Sequence, residues 1–193
     1  MASAANATVY LNGTHGTSRT RASAILESNQ FKASDDGRAG AGVYFWSFQD
    51  DVFFAQRLAE NWWRLAATPK FNSYKGDADK SLAVLKAKIE APTDEYFDAN
   101  SEGFLNLLIK TAEKRQIESS KDEIELLRLY LIKEIENERA AQYGVIKLDV
   151  DVPGLTKGEK TPAPYVSWLK RAPCIVVRKH AMGLIKDIEL VGE

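Results

Sequence analysis

Two stretches of the chain alternate apolar and polar residues one by one, and they fix the class of fold. In "LAVLKAKIE", Leu82 to Glu90, the apolar Leu85, Ala87 and Ile89 are interleaved with Lys86, Lys88 and Glu90. A period of two sends successive side chains to opposite faces, so this is a strand with one face on a core and one in water. "VIKLDVDV", Val145 to Val152, repeats the pattern. "CIVVR", Cys174 to Arg178, and "LIKDIELV", Leu184 to Val191, read as two closing strands, the first apolar enough to be central. Near the start, Thr8 to Asn12 and Val43 to Trp46 read as short strands. Strands at both ends, with helical patterns early and in the middle, predict an α+β domain and exclude regularly alternating βαβ units.

Helical signals fill the remainder. Ser18 to Ser28 is expected to be a helix capped by Thr17 or Ser18, with Ile25 and Leu26 facing inward. Asp50 to Ala66 opens with acidic residues in its first turn, and its Phe53, Phe54, Leu58, Trp62 and Trp63 are assigned mostly to the core. Two more helices follow the Leu82 strand. One spans about Ser101 to Gln116, and the other opens with Ser120 and Glu123 in capping-box spacing and buries Ile124, Leu127, Leu131 and Ile135. Residues 101–143 thus read as a charged helical insertion in a single domain covering 1–193. "DDGRAGAG", Asp35 to Gly42, is a loop whose glycines allow positive φ or close approach to a ligand. Its "GRAGAG" has a G-x-x-G-x-G order and leads into a strand, where a dinucleotide-binding Rossmann loop has G-x-G-x-x-G and leads into a helix.

Composition acts by exclusion. The 26 Lys and Arg against 27 Asp and Glu give a formal charge of -1, without the basic excess common in nucleic-acid binders. No stretch approaches the roughly 20 apolar residues of a membrane span, and "MASAANATVYLNG" has no basic segment followed by an apolar one. A soluble, cytoplasmic protein with no membrane partner is expected. The single Cys174 cannot form an internal disulfide, and two histidines give no zinc-ligand spacing, so no metal is expected.

"HGT" at His15, Gly16 and Thr17, then "AILESNQF", then "GAGVYF" from Gly40 to Phe45, come in an order and at a spacing that carry a resemblance. They resemble the diphtheria-toxin-like and poly(ADP-ribose) polymerase-like ADP-ribosyltransferases over about the first third of the chain, with a weaker echo in the closing strands. The resemblance implies a split two-sheet fold that holds NAD in a cleft, cleaves its nicotinamide–ribose bond and transfers ADP-ribose to an acceptor. It implies that His15 hydrogen-bonds the adenosine-side ribose, that the Gly16 backbone binds the nicotinamide carboxamide, and that Tyr44 stacks on the nicotinamide ring. Thr17 and Gly42 belong to the same two motifs and are assigned with them to the cofactor site. Phe53 or Phe54 is the candidate for the second face of the ring, with Phe54 placed in the cofactor-binding set. These residue types suit the chemistry: an imidazole offers a donor and an acceptor to a diol, and a flat aromatic face suits a planar cation.

The third motif position of that family, often a glutamate, aligns with Cys174, or with Pro173 after a slip of one. Cys174 therefore stands in the catalytic set with His15 and Tyr44, and Glu138 or Glu60 is the candidate carboxylate from elsewhere. A non-acidic third residue implies transfer of a single ADP-ribose unit and no chain elongation. The expected function is an NAD-dependent mono-ADP-ribosyltransferase of the small toxin-like or phage-conflict kind. Its partners would be NAD, a protein or nucleic-acid acceptor, and an antitoxin or inhibitor protein. The alternatives are a catalytically silent NAD- or ADP-ribose-binding module and an RNA 2'-phosphotransferase-like enzyme. Lys170, Arg171, Arg178, Lys179, His180 and Lys186 are candidates for a basic patch serving the NAD pyrophosphate or an RNA acceptor.

Overall fold

Strands β1 (Thr8–Ser18) and β3 (Leu82–Pro92) are 11 residues each and pair antiparallel along their whole length, from Thr8 opposite Pro92 to Ser18 opposite Leu82. Around them a computed structural model, which describes residues 7–35, 37, 39–117, 121–153 and 170–192, builds a seven-stranded mixed sheet. The other strands are β2 (Gly42–Phe48), β4 (Tyr96–Asp98), β5 (Val145–Asp151), β6 (Arg171–Arg178) and β7 (Ile185–Leu190), in the order β4-β5-β6-β2-β1-β3-β7. Every neighbouring pair is antiparallel except β4 and β5. The α+β class therefore holds, and the Rossmann arrangement does not. The proline- and glycine-containing stretch from Pro153 to Pro164, whose composition predicts a loop, lies outside the described residues apart from Pro153, and so does the Ser120 cap.

Helices cover both faces, and the alternation of each strand divides the core in two. On one face Phe45, Leu85, Ile89, Ile175 and Val177 pack beneath α1 (Arg19–Ser28) through Ala22 and Ile25. On the other, Trp46, Val84, Ile146, Leu148 and Val176 lie beneath α2 (Phe53–Ala67), α3 (Glu102–Lys114) and α4 (Lys121–Glu138). Ser18 caps α1 by accepting from the Arg21 N–H, as its residue type leads one to expect. Leu26, expected inside, is 39% exposed, because the inward stripe of this short helix is filled by Ala22 and Ile25.

Residues 101–143 are not an appendage. Phe104 and Leu108 of α3 and Leu127, Leu131 and Ile132 of α4 belong to the same core as Trp46 and Val176, so the helical pair is one layer of the domain. Burying apolar side chains of this size against a sheet contributes roughly 1.5–3 kcal/mol each. Arg178 of β6 pairs with the buried Glu136, whose Oε1 also accepts from the Tyr143 N–H at 2.8 Å. Arg171 pairs with Glu125 at 2.6 Å and donates to the Asp149 carbonyl. These bonds tie α4 to both ends of β6.

Helix α2 differs from expectation in what it buries. Among the residues assigned to its core face, only Leu58 is fully buried, while Phe53, Phe54 and Trp62 are 58%, 37% and 46% exposed. Ala55, Ala59 and Ala66 make its inner surface. The reason is the distance of closest approach: Thr14 Oγ1 donates to the Ala55 carbonyl at 2.7 Å, and a Cβ on Gly16 would overlap the Ala59 backbone carbonyl. A helix this close to the sheet leaves no room for large side chains between the two backbones.

Gly16→Ala is therefore expected to lower the unfolding free energy by roughly 1–3 kcal/mol or more, since backbone and not a flexible side chain must give way. Gly103→Ala, where a Cβ meets open space in α3, should instead stabilise by roughly 0.5–1 kcal/mol. Urea denaturation of the two variants checks the contrast, and equal midpoints would refute the close packing of α2 on β1.

Candidate functional site

The β1–β2 ladder is short. Asn12, Gly13 and Thr14 pair with Phe48, Ser47 and Trp46, and the ladder goes no further, although β1 continues to Ser18 and β2 begins at Gly42. From His15 onward β1 pairs only with β3, while the start of β2 pairs with β6. Within the one seven-stranded sheet these two strands thus part at one end, and His15, Gly16, Thr17, Gly42 and Tyr44 stand on the two banks of this split.

A side chain replaces the missing ladder bond. His15 Nδ1 lies 3.0 Å from the Tyr44 carbonyl oxygen. A carbonyl only accepts, so Nδ1 carries the proton and Nε2 is the acceptor nitrogen of a neutral ring. The imidazole is half-buried against Phe31 and Phe45, with ring centroids at 5.3 and 5.9 Å. Burial lowers its pKa below the ordinary 6.5, the Tyr44 carbonyl opposes that, and the Arg21 charge adds to it. At neutral pH this is an uncharged imidazole with its direction set by a backbone oxygen.

Tyr44 projects to the other face. Its ring packs against the core beneath α2, whereas His15 packs with Phe31 and Phe45 beneath α1. The Tyr44 hydroxyl accepts from the Ala39 N–H and donates to the Gly40 carbonyl, both at 2.8 Å, so the loop before β2 clasps it. Gly37 has no room for a Cβ because of the Tyr44 ring, and Gly40 has φ +94°. Two of the expected glycine roles change. Gly16 lacks a side chain because α2 lies on it, and Gly42 because a Cβ would come 2.5 Å from the Val177 carbonyl of β6. Thr17 is buried and its hydroxyl is in contact with that of Tyr74.

The remaining candidates separate. Cys174 pairs across the ladder with Trp46 and Leu148, away from the split, and is 2% exposed. Burial pushes its thiol up to about 12, so it is a packed, protonated side chain without nucleophilic character. Glu60 is buried on α2 and held by Arg57 at 2.7 Å and by Gln56 at 3.2 Å, while Glu138 is exposed at the end of α4. Phe54 stands in the first turn of α2. The basic residues form no single patch: Arg171 and Arg178 lie at opposite ends of β6, each in an ion pair, and Lys179 faces Asp35 at 3.7 Å.

Two residues of α2 stand out that sequence reasoning left in the core or unmentioned. Trp62 falls on the same helical stripe as the buried Ala55, Ala59 and Ala66 yet is 46% exposed. Asn61 is 2% exposed, and neither Oδ1 nor Nδ2 has a hydrogen-bond partner, which costs about 1–3 kcal/mol for a buried amide. An aromatic on an apolar stripe and an asparagine next to it carry no sequence signal of this kind, because only the packing distance of α2 reveals it. Among the described residues, no group of three or more His, Cys, Asp or Glu could hold a metal ion, and no helix is long and apolar enough to cross a membrane. Comparison of the chain with protein-family models, curated proteins and solved structures finds no match.

Because the folded state lowers the His15 pKa, the unfolded chain binds more protons below pH 6.5. The stability that the neutral ring contributes is complete above that pH and declines as pH falls below it toward the depressed folded value. Thermal midpoints measured between pH 7.5 and 5.5 are expected to fall, and His15→Asn, which keeps a donor for the Tyr44 carbonyl, should flatten the curve. An unchanged slope in the variant would contradict the assignment.

Proposed function

We propose that this chain is an NAD-dependent mono-ADP-ribosyltransferase, small and toxin-like, that breaks the nicotinamide–ribose bond and passes ADP-ribose to a protein or nucleic-acid acceptor. The observation that carries this reading is the split between β1 and β2, with the His15 ring bonded across it to the Tyr44 carbonyl. The motifs that resemble this transferase family thus meet at one opening in the sheet.

The residues there suit a bent dinucleotide. His15 Nε2 would accept from a ribose hydroxyl on one face. On the other, Tyr44 and the exposed Trp62 would bracket a planar pyridinium, so Trp62 replaces Phe53 and Phe54 as the second aromatic. The β2-facing edge of His15 to Ser18 has no ladder pair with β2, and its N–H and C=O groups would bind the carboxamide. Such a site stabilises developing positive charge on the ribose by position and by aromatic faces. Opening the clasp of Ala39 and Gly40 on Tyr44 would expose the ring.

A second reading, a catalytically silent NAD- or ADP-ribose-binding module, is favoured by the carboxylates. Glu60 is engaged by Arg57 and Gln56, Glu138 is exposed at the far end of α4, and Cys174 is buried. Incubation of the purified protein with labelled NAD and either cell lysate or total RNA separates the two. Label entering one macromolecular fraction, and lost in folded His15→Ala and Tyr44→Ala variants, is expected for the transferase and identifies the acceptor class. NAD binding without nicotinamide release would leave the binding module. A wild-type protein that does not bind NAD refutes both.

A further inference from the structure

Asn61 lies on a defined flank of α2. Trp63 Nε1 donates to the Lys80 carbonyl, just before β3, so Trp63 marks the β3 side of the helix. At about 100° per residue, Asn61 points about 160° away from Trp63, toward the β2 side, and about 60° from Leu58. Leu58 packs in the same cluster as Trp46, Ala39 and Tyr44. Gly16 lies against Ala59 and is the next even residue of β1 after Thr14, whose register partner is Trp46. Asn61, two residues beyond Ala59, therefore stands beside the split at the height of Tyr44, next in sequence to the exposed indole of Trp62.

We infer that Asn61 is a specificity-determining residue of this site, its buried side-chain amide serving to hydrogen-bond the carboxamide of a pyridine-3-carboxamide nucleotide. The inference rests on the NAD reading above and names which ligand atoms α2 reads. A primary amide with both Oδ1 and Nδ2 unpaired needs an acceptor and a donor side by side. A carboxamide supplies both. A phosphate only accepts, so it would leave Oδ1 unpaired and facing an anion. A single ribose hydroxyl would engage one end more readily than both. The aromatic neighbours point the same way, since a pyridine ring between Tyr44 and Trp62 carries its carboxamide toward the adjoining turn of α2.

The test is Asn61→Leu, similar in size and without polar atoms, with Asn61→Ala as a smaller second variant that cannot overpack. Binding of NAD and of its 3-acetylpyridine analogue, which lacks the amide N–H donors, is measured by titration together with thermal midpoints. Wild type is expected to prefer NAD by about tenfold or more, and both variants to show a narrower preference, binding NAD at least tenfold more weakly than wild type. Asn61→Leu without ligand should unfold at the wild-type temperature or roughly 2–4 °C above it, because no partner is lost when an unpaired amide is removed. Retention of the wild-type preference in either variant overturns the inference while leaving the NAD reading intact. A fall in the midpoint of Asn61→Leu assigns the amide a structural bond and also overturns it. Failure of wild type to bind either nucleotide refutes the NAD reading itself, and the inference with it.

Discussion

One hydrogen bond stands where a ladder should continue. Beyond Thr14 and Trp46 the two central strands stop pairing, and the His15 imidazole takes the Tyr44 carbonyl that a backbone N–H would otherwise have bound. A buried carbonyl left without a donor would cost free energy comparable to a lost hydrogen bond, so the split is tolerable only because a side chain reaches across it. The same bond sets the tautomer of the ring. It thereby joins a structural requirement to a chemical one: a neutral imidazole with a defined acceptor nitrogen exists because the sheet opens at that point.

The opening also depends on how low α2 rides over β1. With Gly16 against the Ala59 backbone, the contact face of the helix is built mainly from Ala55, Ala59 and Ala66 with Leu58 beside them, and Phe53, Phe54 and Trp62 stay exposed. Trp62 is exposed where a core residue would be expected, and the side-chain amide of Asn61 is enclosed without hydrogen-bond partners. The polar cost of Asn61 and the apolar exposure of Trp62 each lower stability, and the two residues are neighbours in the second half of α2.

Elsewhere the layers are fastened by charge as well as by apolar area. Glu136 receives Arg178 and the Tyr143 N–H, and Arg128 and Arg171 both donate to the Asp149 carbonyl and both pair with Glu125. Arg128 is almost fully buried, and burial lowers its pKa, an effect offset by Glu125 and Asp149. Ion pairs this enclosed recover little net free energy, but removing one member leaves a stranded charge. They fix α4 to β5 and β6 in one register, which makes residues 101–143 part of the main core and not an insertion laid upon it.

Much of the framework was legible in the sequence. The alternation of Leu85, Ala87 and Ile89 gave β3 with its correct buried face, and Ser18 was readable as a cap, whereas nothing in "HGT" and "GAGVYF" foretold that the His15 ring would bond the Tyr44 backbone while the two side chains lie on opposite faces. The alternation and the cap are local, or carry a period, and local geometry is what sequence encodes most directly. The length of β1 was not legible, since "NGTHGTS" has no alternation and is a strand because β3 pairs with all of it. Three-residue β4 was too short to leave a pattern. Helical periodicity assigned Trp62 and Phe54 to the core, because a period states which side of a helix a residue is on and not how far that side stands from the sheet. Only the tertiary structure decided that distance, through the overlap a Cβ at Gly16 would make with Ala59, and with it which residues of α2 fill the core and which stand exposed.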